Sequence, residues 1–200
     1  IDAEAWGPGA GWALEQAPRL VGCDDRLDGF EPHHRLLSRA HRRQPGLRLG
    51  ASGQVADILV TTILQQKVTG REAARAWRGI CHAWGAPAPG GYHLRLPPAP
   101  AVLAQQPYWA FHRFGVERRR AETVIGACRR IDRLQEAATM PREEAGRRLT
   151  ALPGLGPWTA AIVARVAFGD PDAVEVGDFH LPDWVAWALA GEPRGDDARM

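Results

Sequence analysis

Two hundred residues suit one domain or two small lobes with a sizeable core, and a hydrophobic content of 45% is that of an ordinary globular chain. No apolar run reaches membrane-spanning length and no signal-peptide pattern is present, which argues against a membrane partner. The net charge of +2 is too small to mark a nucleic-acid binder by itself. Cys23, Cys81 and Cys128 are too widely separated for a disulfide framework or a zinc site, so the default setting is reducing and intracellular.

Along the chain, residues 1–50 are rich in Gly, Pro, Trp and Arg and read as loops with one short helix near 33–43. Val55, Ile58, Leu59, Thr62, Ile63 and Gln66 recur at helical spacing and predict an amphipathic helix over 54–66. Thr69-Gly70-Arg71-Glu72 is a capping box opening a second helix, which buries Ala73, Ala76, Trp77, Ile80 and Trp84. Residues 86–100 form a Pro/Gly-rich loop, and 101–106 a short helix.

A longer helix is expected over 117–134, with Ala121, Val124, Ile125, Cys128 and Ile131 along one stripe. The arginines at 113, 118, 119, 120, 129, 130 and 133 outnumber the acids nearby, which attracts phosphate or simply solvates a helix face. Pro141 starts the next helix, with Glu143 and Glu144 in its first turn and Arg147 and Arg148 in its last. Another runs from Pro157 to Phe168 and is broken by Gly169-Asp170-Pro171-Asp172. Leu181-Pro182-Asp183 opens a last one that ends near Gly191, and Asp196-Asp197-Ala198-Arg199-Met200 reads as the start of a further helix. No segment alternates like a strand, so the fold class is all-α.

The most informative stretch is Leu152-Pro153-Gly154-Leu155-Gly156-Pro157-Trp158-Thr159-Ala160-Ala161. Its glycines allow a tight turn and close backbone approach, and Pro157 suits a first helical turn. Such a turn aims free N–H groups outward, where they can hold a nucleic-acid phosphate without reading a base. Asp178 follows twenty residues after Trp158.

This arrangement resembles the helix-hairpin-helix DNA glycosylases, and most closely their bacterial alkylated-purine (3-methyladenine) branch. The Leu-Pro-Gly-hydrophobic-Gly hairpin, Thr159-Ala160 and Val176-Gly177-Asp178 carry the resemblance; Ile63-Leu64-Gln65-Gln66, Phe114-Gly115-Val116 and Arg120-Ala121-Glu122 extend it. It implies a two-lobed helical bundle with a cleft, comprising residues 51–200 and truncated at its C-terminal end, with residues 1–50 packed on it. The family's activity would be excision of alkylated purines from double-stranded DNA by a monomeric, cytoplasmic, nucleoid-associated enzyme. An oxidised or deaminated base, or a non-catalytic DNA-binding module, are the rival readings.

The resemblance places the catalytic carboxylate at Asp178; the residue's own chemistry equally fits a helix N-cap or a loop aspartate. Asp170, Asp172 and Glu175 are competitors expected to be solvated. Trp158 and Phe179 match pocket aromatics, Ile162 stands where the family has another, and His180 either lines the pocket or faces solvent. Gly154, Gly156 and Thr159 belong to the phosphate-binding hairpin.

Gln65, Gln66 and Lys67 occupy the turn from which the family fills the gap left by the flipped base; Gln66 either fills it or bonds backbone at a helix end. The carbonyls of Thr150, Leu152 and Leu155 match a sodium or potassium site, with no cofactor required. Bifunctional relatives use a lysine where Trp158 stands, and the chain's one lysine is Lys67, which points to a glycosylase without strand-cleaving lyase activity.

Overall fold

Six residues of the helix α3 (Val55–Gln65) are buried, namely Val55, Leu59, Val60, Thr62, Ile63 and Leu64, and the rest of the molecule is arranged around it. The computed structural model describes residues 2–200. α3 is rich in β-branched residues, which are indifferent helix formers, so burial rather than propensity holds it. It packs against α4 (Gly70–Trp84), α6 (Arg118–Cys128), α7 (Ile131–Gln135) and α9 (Pro157–Val163).

Two groups of elements therefore share α3. One holds α4, α5 (Pro100–Ala104), a 3-10 turn over Tyr108–Phe114, and α6. The other holds α7, a 3-10 turn over Glu136–Thr139, α8 (Arg142–Thr150) and α9. One hydrophobic core runs through both. This is the expected all-α, two-lobed arrangement, and no β-strand is present among the described residues. No helix there is long and apolar enough to cross a membrane.

The capping box before α4 forms as expected: the Thr69 hydroxyl accepts from the Glu72 N–H at 3.3 Å, and the Glu72 carboxylate accepts from the Thr69 N–H at 2.9 Å. Trp77 and Trp84 are half-buried rather than buried, and Trp84 meets Phe111 and Phe114 edge-on. The 86–100 loop contains a single antiparallel bridge, Pro87 to Arg95.

Several sequence expectations are corrected. Residues 1–50 hold two helices, α1 (Ala10–Leu20) as well as α2 (Arg35–Arg43). α1 buries no residue and contains Gly11 and Pro18, so its helical composition is interrupted. The helix expected over 117–134 is broken after Cys128, where Arg130 leaves the helical region at φ −121°, ψ 18°. The heptad-like pattern runs on past this break without Gly or Pro to mark it. The change of direction brings Leu134 into the core and lets the Gln135 amide donate to the Gly53 carbonyl at 3.0 Å.

The helix expected over 157–168 is α-helical to Val163 and ends in a π turn, Ala164–Phe168. There the Val166 and Ala167 carbonyls accept from the N–H groups of Ser52 and Gly53, at 3.0 and 2.8 Å, so partners from the segment before α3 meet the widened turn. α10 (Leu181–Ala190) ends at Gly191 as expected. Residues 196–200 form only a turn, in which Asp196 receives the Arg199 N–H.

The end of α3 carries carbonyls that need donors. Arg120, only 6% exposed, supplies one: its Nη1 donates to the Leu64 carbonyl at 2.8 Å, its Nη2 to the Gly115 carbonyl at 3.3 Å, and its Nε to Glu117 at 3.1 Å. Arg120→Ala is expected to lower unfolding free energy by about 1–3 kcal/mol, because a buried carbonyl loses its partner. Glu117→Gln, at the exposed end of the same pair, should cost under about 1 kcal/mol. Urea unfolding of the two variants checks both.

Candidate active site

The turn between α8 and α9 is anchored by two buried leucines, Leu152 and Leu155, and closed by the Leu155 N–H donating to the Leu152 carbonyl at 3.1 Å. Gly154 sits between them at φ +91°, and a Cβ there would lie 2.5 Å from the Thr123 hydroxyl on α6. Gly156 differs: its φ is −97° and a Cβ would meet nothing within 4 Å. Gly154 is thus required by the fold, whereas Gly156 leaves an open surface. After Gly156, the N–H groups of Trp158 and Thr159 begin α9 without helical acceptors.

Gln66 joins this hairpin to α3. Its carboxamide Nε2 donates to the Gly154 carbonyl at 2.9 Å and to the Thr159 hydroxyl at 3.0 Å. Thr159 is buried, so its side chain braces the hairpin from inside. Of the three residues in the α3–α4 turn, Gln66 is therefore a brace. Gln65 is exposed and leans on its own helix at the Thr61 carbonyl, and Lys67 is exposed at the left-handed φ of +56°.

The segment from Gly169 to Asp178 is tied down by charge. Arg142 pairs with Asp170 at 3.2 Å and also with Asp172, and Arg165 pairs with Glu175 at 2.6 Å. Asp170 and Glu175 have side chains only 12% and 17% exposed, so these two are paired rather than solvated, contrary to the sequence expectation; Asp172 is exposed but also paired. Asp178 has no ion-pair partner among the described residues. Its Oδ2 accepts from the Trp158 indole at 3.0 Å, and its Oδ1 from the N–H groups of His180 and Leu181 at 2.8 and 2.9 Å. The N-cap of α10 is His180, so Asp178 is the loop aspartate of the two readings, bonded to the N–H groups that open the helix and to Trp158.

Burial pushes the Asp178 carboxyl up. The N–H groups of His180, the Trp158 indole and Leu181, with the charge of His180, outweigh it and hold the group below its ordinary value of 3.8. The site therefore presents an ionised carboxylate at neutral pH, oriented at both oxygens.

Around it the aromatic surface is open. Phe179 is 87% exposed and meets His180 edge-on; His180 stacks on Trp184 with 11° between the rings. Trp184 and Trp187 are also exposed. The sequence reading missed both, although Trp184 stands four residues after His180, on the same helix face. Two hollows of about 400 and 420 Å³ lie elsewhere, along Cys23–Arg48 and beside Gly169. The Thr150, Leu152 and Leu155 carbonyls lie on the α8–α9 turn, that of Leu152 already accepting from Leu155. No cluster of metal-binding side chains exists among the described residues.

Two measurements follow. Gly154→Ala should destabilise the fold by about 1–3 kcal/mol through left-handed strain and overpacking, and Gly156→Ala by less than about 1 kcal/mol. Because the Asp178 carboxyl is depressed in the folded state, its stabilising effect is present above 3.8 and fades as pH falls through the folded value. Asp178→Asn should therefore be less stable than the parent at neutral pH, with the gap closing in acid.

No family model matches the chain. It is 28% identical over 141 residues to a probable bifunctional transcriptional activator/DNA repair enzyme AlkA of Mycobacterium tuberculosis, covering 70% of this chain but 28% of that protein. Among solved structures, it superposes on a 3-methyladenine DNA glycosylase from Archaeoglobus fulgidus with a TM-score of 0.78 at 19% identity, over 98% of this chain and 69% of that one. It also superposes on an 8-oxoguanine glycosylase/lyase from Clostridium acetobutylicum in complex with damaged double-stranded DNA, with a TM-score of 0.72 at 14% identity, over 90% and 64%. The chain thus spans a little over a quarter of the curated relatives it matches. In fold, the chain resembles these DNA glycosylases, a 3-methyladenine glycosylase and an 8-oxoguanine glycosylase/lyase among them.

Proposed function

We propose that the chain is the glycosylase portion of a base-excision enzyme that removes alkylated purines from double-stranded DNA, with residues 51–200 as the working domain. The observation that carries this reading is the Asp178 carboxylate, ionised, without an ion pair among the described residues and oriented by Trp158 from the helix behind the hairpin. In this reading the hairpin holds a phosphate through the N–H groups at the start of α9, and the damaged base leaves the stack. Breaking the N-glycosidic bond builds positive charge on the sugar, and a carboxylate fixed nearby stabilises it. Water then attacks, with Asp178 accepting its proton.

Trp158 orients Asp178 and offers a ring face to the base; Phe179 and His180 offer further faces. Stacking on such rings favours an electron-poor, cationic alkylpurine by about 0.5–2 kcal/mol. With Gln66 committed to the hairpin, Lys67 and Gln65 are the residues that reach into the gap in the duplex. The carbonyls of Thr150, Leu152 and Leu155 would hold a sodium or potassium ion, which would supply positive charge beside the hairpin. No other cofactor is needed, and the enzyme acts as a monomer in the cytoplasm, at the nucleoid.

Base release from duplexes carrying one alkylated, oxidised or deaminated base tests the reading and its substrate class. Asp178→Asn should keep duplex binding and lose about 10²–10³-fold in release rate; near-parental turnover would move the catalytic role elsewhere. A bulky residue at Gly156 should weaken binding to all duplexes alike, because only backbone phosphate contact is lost. The reaction should leave the strand intact, since Trp158 holds the position of the lyase lysine. Borohydride trapping of a covalent adduct, abolished in Lys67→Ala, would instead make this a lyase.

A further inference from the structure

The chain after α10 turns back on the site. Gly195 packs so closely on the first turns of α10 that a Cβ would lie 2.4 Å from the Pro182 carbonyl, and its N–H donates to Asp183 at 2.9 Å. Arg194 faces the same Asp183 carboxylate at 3.7 Å, and Arg199 pairs with Glu192 at 2.6 Å. This return places both carboxylate oxygens of Asp197 at 3.1 Å from the Gly177 N–H. Gly177 stands at φ +88°, immediately before Asp178. The Asp178 N–H is taken by the Glu175 carbonyl at 3.0 Å.

We infer that Asp197 is a positioning residue for Asp178. It fixes, through the Gly177 N–H, the peptide from which the Asp178 carboxylate is aimed. The inference rests on the glycosylase reading above. The physical case has three parts. A charge-assisted bond to a backbone N–H is stronger than a neutral one. Glycine at positive φ is the most freely rotating residue in the loop, so it loses most without an anchor. The other anchors of the loop, Arg142 and Arg165, hold residues 170, 172 and 175 and leave the Gly177 N–H to Asp197. Asp197 touches no reacting atom in this scheme; it acts only through residue 177.

The test is single-turnover base release by Asp197→Ala and Asp197→Asn, with duplex affinity measured in parallel. The alanine variant should lose about ten- to a hundredfold in rate, as expected when a catalytic group shifts by about an ångström, while affinity stays within about twofold. The asparagine variant keeps a carbonyl acceptor and should recover most of that rate. Exchange of the Gly177 amide proton should accelerate in the alanine variant and not in the asparagine one. Asp183→Ala, which loosens the same return segment without touching Gly177, should shift the rate in the same direction and leave affinity unchanged. An alanine variant that releases base at the parental rate, while Asp178→Asn does not, overturns the role of Asp197 and leaves the glycosylase reading standing. A parent chain that releases no base from any lesion overturns both.

Discussion

The Gln66 carboxamide spans from the last turn of α3 to the Gly154 carbonyl and the Thr159 hydroxyl, and the geometry of the whole site depends on that span. One side chain with two acceptors ties a central buried helix to the hairpin and to the start of α9. Arg120 does the matching work on the other side, holding the Leu64 carbonyl at the same helix end from within α6. Both bonds cross between sequence-distant elements, and the Arg120 bond satisfies a carbonyl at a helix terminus. The α3–α4 turn is thus fixed at its base while its tip, Lys67, stays exposed at positive φ.

In the proposed reaction, Asp178 combines a structural and a chemical role in one carboxylate. One oxygen receives two N–H groups at the start of α10, and the other receives an indole. Such bonds stabilise the ionised form, and they also fix its direction without an ion pair. The remaining acids of the loop are consumed by arginines, which hold the loop against α8 and the π turn. Charge pairing therefore sorts the carboxylates into those that shape the loop and the one without an ion pair among the described residues.

The aromatic surface beyond Asp178 has a different character. Phe179, Trp184 and Trp187 are all more than half exposed, although large apolar groups normally gain from burial. His180 and Trp184 are already stacked on each other, so part of this surface is ordered before anything binds. In the proposed reaction, preordered rings spare the entropy cost of arranging them around a base.

The sequence alone determined the elements whose signals are local. The capping box at Thr69, the proline at the start of α9 and the glycine that ends α10 depend on neighbours within a few turns, and each was legible for that reason. The break after Cys128, the π turn at Ala164–Phe168 and the helix α1 were not, because no breaker marks the first two and breakers interrupt the third. Only the tertiary structure decided between the roles open to Gln66, paired Asp170 and Glu175 with arginines, brought Trp184 onto His180 and carried Asp197 back to Gly177. Apart from the Trp184 stack, these contacts hinge on long-range placement, and a pattern of hydrophobic spacing carries no information about which polar side chain meets which distant backbone group.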